Sequence, residues 1–144
     1  MTAFVVDASV VVKWVSMEAD SEQALFLMRN HRLLAPDLLV AEIANTLATK
    51  IRLQELSLSE AQEAAGFISA VRIELAATTD FMTTAIGLAA TLRHPAYDCF
   101  YLALALAKGV SFVTADSRFL RALERYGDDE QRAACLSLEH AATR

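Results

Sequence analysis

The stretch that decides the fold is residues 97–119, which reads YDCFYLALALAKGVSFVTADSRF. Its first half is rich in alanine and leucine and predicts a helix, because both residues favour helical backbone. Lys108 and Gly109 follow as the last turn and the stop, since glycine is common just after a helix. Residues 110–113 are rich in valine and phenylalanine and predict a short buried strand. The stretch therefore predicts a helix that reverses into a strand.

The lengths of these two elements bring two acids together. About ten helical residues advance roughly 15 Å, because each adds about 1.5 Å. About five strand residues return roughly 16 Å, at about 3.3 Å each. We therefore expect Asp98, near the start of the helix, and Asp116, just after the strand, to lie at one edge of a sheet. A hydrophobic core gives no reason for two carboxylates at that place.

A third acid follows the first apolar segment of the chain. Residues 3–6 are too few for a helix and end in valines, so they predict a buried strand that ends at Asp7. A helical segment begins directly afterwards, and open α/β sheets place their sites at such strand ends. The alternative interpretation is that Asp7 only caps that helix.

The fourth acid, Glu42, lies on the longest predicted helix, residues 37–53. Alanine and isoleucine flank it, which is an unusual environment for the alternative, an exposed glutamate in a surface salt bridge. The apolar residues of this helix share one face: Leu38, Leu39, Ile43, Leu47 and Ile51. Glu42 is therefore a candidate for the same sheet edge.

The remaining segments complete an alternation of strands and helices. Further strands are predicted at residues 33–35, 72–76 and 134–138, and further helices at 22–30, 60–71, 81–92 and 117–126. This order predicts an α/β fold with a mainly parallel, five-stranded sheet, and right-handed crossovers put the strand ends on one edge. We expect residues 1–144 to form a single domain. Residues 127–130 are expected to form a solvated acidic turn and 140–144 a frayed tail.

The composition limits the class of protein. Of 144 residues, 55% are hydrophobic and 22% are charged, which supports a large core and excludes a disordered chain. No apolar run is long enough to cross a membrane and no signal peptide precedes residue 7, so we expect a cytoplasmic protein without membrane contact. Cys99 and Cys135 are predicted to be free, buried thiols. The net charge of −5 argues against a simple basic nucleic-acid binder, but it allows an enzyme that holds phosphates through a metal.

The acids in apolar surroundings, Asp7, Glu42, Asp98 and Asp116, predict a metal site. Four carboxylates in one pocket raise each other's pKa steeply unless a cation balances their charge. Oxygen ligands suit Mg²⁺ or Mn²⁺, and the lack of a Cys/His spacing argues against zinc. A metal-bound water can attack a phosphodiester, so the pattern favours a phosphodiester hydrolase.

Polar and basic residues near these acids are candidates for supporting roles. Ser9, Asn45 and Thr114 could orient carboxylates or waters, although each also suits a helix cap or helix surface. Lys13 and Arg118 could reach a phosphate, and the alternative for both is an ordinary solvated side chain. His94 is interpreted as a loop residue that needs no catalytic role.

Four sequence blocks follow one another in the order and at the intervals typical of one family. They are FVVDAS at 4–9, APDLLVAEIAN at 35–45, YDCFYLALA at 97–105 and VTADSRF at 113–119. Together they resemble the signature blocks of the PIN-domain family and, more closely, of its VapC-type toxin ribonucleases. The resemblance extends over nearly the whole chain.

This resemblance implies a fold, a reaction and partners. The fold would be a three-layer α/β/α sandwich, and the activity that of a Mg²⁺- or Mn²⁺-dependent endoribonuclease. Asp7, Glu42, Asp98 and Asp116 would be the metal-binding acids, supported by Ser9, Asn45 and Thr114. The family also implies RNA as substrate, a homodimer and a cognate antitoxin of a type II toxin–antitoxin system. A surplus of apolar residues at 24–28 and 38–51 fits such protein partners.

Rival functions remain at this stage. A dehalogenase-type phosphatase or a phospho-receiver is disfavoured, because residues 7–9 contain no Asp-x-Asp pair and no lysine stands at a late strand end. A nuclease with a housekeeping role in RNA or DNA processing is one alternative to a toxin. A metal-binding module without catalysis is the other.

Overall fold

One parallel sheet organises the protein. The computed structural model describes residues 2–143, and five strands in that range form the sheet in the order β3-β2-β1-β4-β5. They are β1 (Ala3–Val6), β2 (Arg32–Pro36), β3 (Glu74–Ala76), β4 (Ser111–Thr114) and β5 (Cys135–Ser137). Each neighbouring pair is parallel. The predicted α/β class and the five-stranded sheet are therefore confirmed.

Helices flank this sheet and complete a three-layer α/β/α sandwich. They are α1 (Ala8–Val11), α2 (Ser21–Asn30), α3 (Leu38–Arg52), α4 (Leu58–Ala70), α5 (Met82–Leu92), α6 (Ala96–Lys108), α7 (Ser117–Tyr126), α8 (Asp129–Ala133) and α9 (Leu138–Ala141). Short 3₁₀ turns follow α1 and precede α5. Among the helices in residues 2–143, none has the length and hydrophobicity that crossing a membrane requires.

The core lies where the central strands meet α6. Phe4, Val5 and Val6 of β1 are almost inaccessible to solvent, as are residues 101–105 of α6. Both faces of a central parallel strand are covered, which explains why β1 is a continuous apolar run instead of an alternating one. Both cysteines are buried and free, as predicted.

The region after α7 differs from the prediction. Residues 127–130 were expected to form only a turn, but the Asp128 side chain accepts the Gln131 backbone N–H, and the Asp128 backbone N–H donates to Gln131 Oε1 in return. This reciprocal pair is a capping box, which starts α8. The expected frayed tail is also wrong for residues 140 and 141, because they belong to α9, which buries Leu138 and Ala141 in the core. Residue 144 lies outside the described range.

The topology brings four chain segments to one edge of the sheet. β1 and β4 are neighbours in register, with Val6 opposite Val113, so the residues that follow both strands meet. β2 lies on the other side of β1 and leads into α3. Helix α6 begins close to this edge, because it runs back across the sheet before β4. The carboxyl ends of the strands thus define one candidate site.

Candidate active site

A cleft of about 660 Å³ opens at the carboxyl ends of β1 and β4. All four acids predicted from sequence line it, and they come from four different segments of the chain. Asp7 follows β1, Glu42 lies in α3, Asp98 lies in the first turn of α6, and Asp116 caps α7. Ser9, Asn45, Thr46 and Tyr97 line the same cleft.

Asp7 is the most deeply buried of these acids, with 4% of its surface exposed. Its Oδ1 accepts a 2.5 Å hydrogen bond from Ser9 Oγ, and its Oδ2 accepts one of 2.5 Å from Thr114 Oγ1. Burial raises the pKa of Asp7 to about 7, since the charged form loses its hydration. The two hydroxyl donors oppose this rise, and the negative charge of Asp98 adds to it.

The same two hydroxyls tie the ends of β1 and β4 together. Ser9 Oγ also accepts the Ala115 backbone N–H at 2.9 Å, and Thr114 Oγ1 accepts the Asp116 backbone N–H at 3.0 Å. Thr114 is fully buried although it is polar, and these bonds satisfy its hydroxyl. Ser9 and Thr114 therefore fix the orientation of Asp7 relative to Asp116.

Glu42 is anchored by a residue that sequence reasoning did not single out. Tyr101 donates its hydroxyl proton to Glu42 Oε1 at 2.5 Å. The Tyr101 ring is fully buried and stacks on Phe112 at 5.5 Å. Partial burial raises the pKa of Glu42, and the tyrosine hydrogen bond opposes that rise. Burial and the adjacent carboxylate raise the pKa of Tyr101 well above its ordinary value, so Tyr101 stays a donor.

Asp98 has a histidine partner that the sequence interpretation placed in an inert loop. His94 Nε2 lies 2.6 Å from Asp98 Oδ2, and the His94 ring packs edge-on against Phe119 at 5.3 Å. Arg93 has left-handed backbone, with φ of 52°, and this bend between α5 and α6 turns His94 back toward Asp98. Burial raises the pKa of Asp98, and its hydrogen bond with His94 opposes the shift.

Asp116 is held by the helix that it begins. Its Oδ1 accepts the backbone N–H of Arg118 at 2.9 Å and that of Phe119 at 3.3 Å. One ligand atom from each of His94, Asp98 and Asp116 lies within 4.8 Å of the others, a separation that would allow one metal ion to contact all three. The cleft therefore contains a candidate metal group besides the buried Asp7.

Comparison with known proteins identifies the family. The sequence profile of the PIN domain matches residues 4–124, which is most of the chain. The chain belongs to the PIN domain family. Its structure is similar to the crystal structure of PAE2754 from Pyrobaculum aerophilum, with a TM-score of 0.70 and 19% identity, over 99% of this chain and 94% of that one. At that identity the likeness concerns the fold alone. No curated protein matches the sequence significantly.

PIN domains are generally metal-dependent nucleases, and the donor groups of this PIN domain fit a divalent cation. Carboxylate oxygens are the ligands that Mg²⁺ and Mn²⁺ prefer, and an imidazole nitrogen is also accepted by Mn²⁺. Within residues 2–143, no lysine or arginine forms an ion pair with any of the four acids. In that range only His94 pairs with one of these acids, so no lysine or arginine within ion-pair distance balances their charge.

The other residues singled out in the sequence have different settings in this PIN domain. Asn45 lines the cleft from an exposed position on α3. Arg118 is exposed, and its positive charge lowers the pKa of Asp98, which places it near the site. Lys13 instead pairs with Glu18 at 3.1 Å and Asp20 at 3.0 Å and does not line the cleft. A role for Lys13 in binding phosphate would require those ion pairs to open.

Proposed function

We propose that this protein is a divalent-metal-dependent endoribonuclease that hydrolyses phosphodiester bonds in RNA. The observation that carries the proposal is the convergence of Asp7, Glu42, Asp98 and Asp116 on one cleft without a balancing lysine or arginine in residues 2–143. Carboxylates that share one cleft raise each other's pKa, and a bound cation relieves that repulsion. The choice of RNA rests on the resemblance of the four sequence blocks to VapC-type ribonucleases.

The acids and their partners have separable roles in this proposal. Asp7, Glu42, Asp98 and Asp116 would hold the cation, with His94 as an additional nitrogen donor. Bound Mg²⁺ or Mn²⁺ supplies an acidified water and stabilises charge on the phosphate oxygens. Ser9 and Thr114 hold both oxygens of Asp7 in place, so little reorganisation is needed when the substrate binds.

Two side chains are candidates for the general base. Asp7 is one candidate, because its carboxylate lines the cleft and the hydroxyls of Ser9 and Thr114 hold both of its oxygens in place. Asp98 is the second candidate, because it lines the same cleft and its Oδ2 lies 2.6 Å from His94 Nε2, which holds it in place. Asp7 is the more buried of the two, and proton uptake relieves the greater desolvation there.

We further propose that the nuclease is the toxin of a type II toxin–antitoxin pair and works as a homodimer. The support is the VapC-like sequence pattern and an apolar groove of about 390 Å³ between α3 and α4. Val40 and Leu75 line that groove and are 60% and 50% exposed, which is costly unless a protein partner covers them.

The decisive experiment compares the wild-type protein with Asp7→Asn on tRNA and ribosomal RNA. The reactions contain Mg²⁺, Mn²⁺ or EDTA, and Asp80→Asn serves as the control because Asp80 is exposed and does not line the cleft. We expect metal-dependent cleavage that Asp7→Asn lowers by roughly 10²–10⁴-fold and Asp80→Asn leaves intact. Cleavage at full rate in EDTA, or by Asp7→Asn, would refute the mechanism.

The toxin role needs a separate test. Induced expression of the wild type in a bacterial host should stop growth, and Asp7→Asn should not. Co-expression of a small protein encoded next to this gene should restore growth and form a stable complex with the nuclease. Normal growth during expression of an active nuclease would favour a housekeeping enzyme instead.

A further inference from the structure

Three arginines form a row along α7. Arg118, Arg121 and Arg125 are spaced by three and four residues, so they project from the same side of the helix. All three side chains belong to exposed residues. The row spans about 10 Å, at a rise of about 1.5 Å per residue. The protein has a net charge of −5, so this row is a local concentration of positive charge on an otherwise acidic protein.

A fourth arginine and a tyrosine extend this row. The guanidinium of Arg93 lies 4.8 Å from the centre of the Tyr126 ring, and that of Arg125 lies 5.3 Å from it. These cation–π contacts restrain two long side chains without neutralising their charge. Tyr126 also borders a surface depression of about 470 Å³ that Arg121 and Arg125 line. The four arginines, 93, 118, 121 and 125, are named here the arginine row.

The arginine row is not neutralised by acids in the described part of the chain. Within residues 2–143, none of its four members has a carboxylate within ion-pair distance, whereas Lys13 has two and Arg32 and Arg132 have one each. The single acid of α7, Glu124, borders the depression without pairing with a neighbour. Unpaired guanidinium groups in a row favour a ligand with repeated negative charges.

The position of the row indicates which polyanion it fits. Helix α7 begins at Asp116, which lines the cleft, so Arg118 lies beside the acids and Arg121 and Arg125 follow one and two turns farther away. A strand whose scissile phosphate lies in the cleft can therefore place its next phosphates on the row. The acidic cleft repels RNA on its own, and positive charge beside it offsets that repulsion.

We propose that the arginine row is the binding track for the single-stranded RNA that flanks the cleaved bond. Each guanidinium would contact a phosphate oxygen, and Tyr126 would hold Arg93 and Arg125 in place at the far end through its ring. The inference rests on the proposed ribonuclease function but adds a substrate path that the four acids do not define. Phosphate contacts carry no sequence information, so the row supplies affinity and direction instead of site choice.

The test measures RNA binding apart from cleavage. In an Asp7→Asn background with Mg²⁺, Arg121→Gln/Arg125→Gln is compared with the control Arg29→Gln/Arg72→Gln, which removes two exposed arginines near the amino ends of the strands. The probe is a fluorescent, unstructured 20-nucleotide RNA, and anisotropy is recorded between about 0.05 and 0.3 M salt. We expect a roughly tenfold weaker affinity and a salt slope shallower by about 1.4, since each phosphate contact contributes about 0.7.

The control pair should keep the slope and affinity of the parent, and circular dichroism should show that both variants are folded. With Asp7 intact, Arg121→Gln/Arg125→Gln should raise KM for the long RNA more than it lowers kcat. If the two double variants show the same salt slope of RNA binding, the arginine row does not bind RNA, even if the protein cleaves RNA. If only Arg121→Gln/Arg125→Gln changes the salt slope and the protein cleaves no RNA, the RNA-binding role of the arginine row is supported and the proposed hydrolysis is rejected.

Discussion

Charged side chains have different partners at the two edges of the sheet. At the edge where the strands begin, Arg32 of β2 contacts Glu74 of β3 through two nitrogens at 2.9–3.1 Å, and both side chains are about half exposed. At the edge where the strands end, Asp7 and Asp116 have hydroxyl and backbone donors as partners but no lysine or arginine among residues 2–143. The Arg32–Glu74 pair thus matches its charges at one edge, whereas Asp7 and Asp116 have no lysine or arginine partner at the other.

This difference shows how the fold separates stability from function. The Arg32–Glu74 pair joins neighbouring strands and remains hydrated, so it adds little free energy and demands nothing from a ligand. Asp7 loses its hydration without gaining a cationic partner among residues 2–143, which costs folding free energy. The four predictions that follow test this contrast, beginning with the largest expected effect.

Replacing Asp7 should stabilise the metal-free protein at high pH. The pKa of Asp7 is raised to about 7, against about 3.9 in an unfolded chain, so the folded state prefers the protonated carboxyl. Its contribution is fully present below about pH 4 and is lost as the pH rises through 7. Asp7→Asn, which stays neutral, should raise the free energy of unfolding by roughly 2–4 kcal/mol at pH 8 and by almost nothing at pH 4.

Urea titrations in EDTA at pH 4, 6 and 8 measure this effect. The control is Asp80→Asn, an exposed substitution that should change stability by less than about 0.5 kcal/mol at every pH. A stabilisation by Asp7→Asn that is equal at pH 4 and pH 8 would show that desolvation of the charged carboxylate is not its cause.

Replacing His94 should change the metal preference of the cleft. His94, Asp98 and Asp116 form a group with one nitrogen donor, and Mn²⁺ accepts nitrogen more readily than Mg²⁺. His94→Asn should weaken Mn²⁺ binding by roughly tenfold, or about 1.4 kcal/mol, and Mg²⁺ binding by less. Calorimetric titration gives both constants, with His140→Asn as the control. Equal losses for the two ions would mean that His94 only positions Asp98.

Removing the Tyr101 hydroxyl should lower the stability of the protein, because Glu42 loses its hydrogen-bond donor. Tyr101→Phe leaves the partly buried Glu42 without its donor, which should cost about 1 kcal/mol of unfolding free energy at pH 7. The loss should be smaller at low pH, because the pKa of Glu42 is already raised and its protonated form needs this donor less. Thermal unfolding across pH tests this, with the 63% exposed Tyr97→Phe as control. A loss that is the same at all pH values would point to packing alone.

Breaking the ion pair at the opposite edge should have the smallest effect. Glu74→Gln removes one charge of an exposed pair, and we expect a loss of about 0.5 kcal/mol that disappears in 1 M salt. RNA cleavage and metal binding should be unchanged. A loss comparable to the gain from Asp7→Asn would remove the contrast between the edges.

The sequence predicts most of the fold because its strands and helices alternate with clear periods. The strand ending at Asp7 and the helix ending at Gly109 are both present, and the second places Asp98 and Asp116 in one cleft. A carboxylate flanked by apolar residues stands out in a sequence, so the sequence alone predicts all four acids of the cleft. Their role in metal binding stays a prediction.

The contacts of Tyr101 and His94 could not be predicted from the sequence, for physical reasons. Tyr101 contacts Glu42 across 59 positions of sequence, and its helix pattern is that of an ordinary core residue. His94 precedes Pro95, and this order indicates the end of a helix. The left-handed backbone of Arg93 turns the His94 ring toward Asp98, but no sequence pattern predicts that conformation. The helix after Asp128 had a readable signal, because aspartate followed three residues later by glutamine is a capping pair.

The hydroxyl bridge of Ser9 and Thr114 has a consequence for how the protein is made. Asp7 emerges early from the ribosome, yet Thr114, which fixes one of its oxygens, is 107 positions later. A nascent chain released as far as α5 already carries Asp7 and Glu42 but lacks the strand that orders them. The four acids are therefore brought together only when β4 adds to β1, so the cleft forms together with the completed domain.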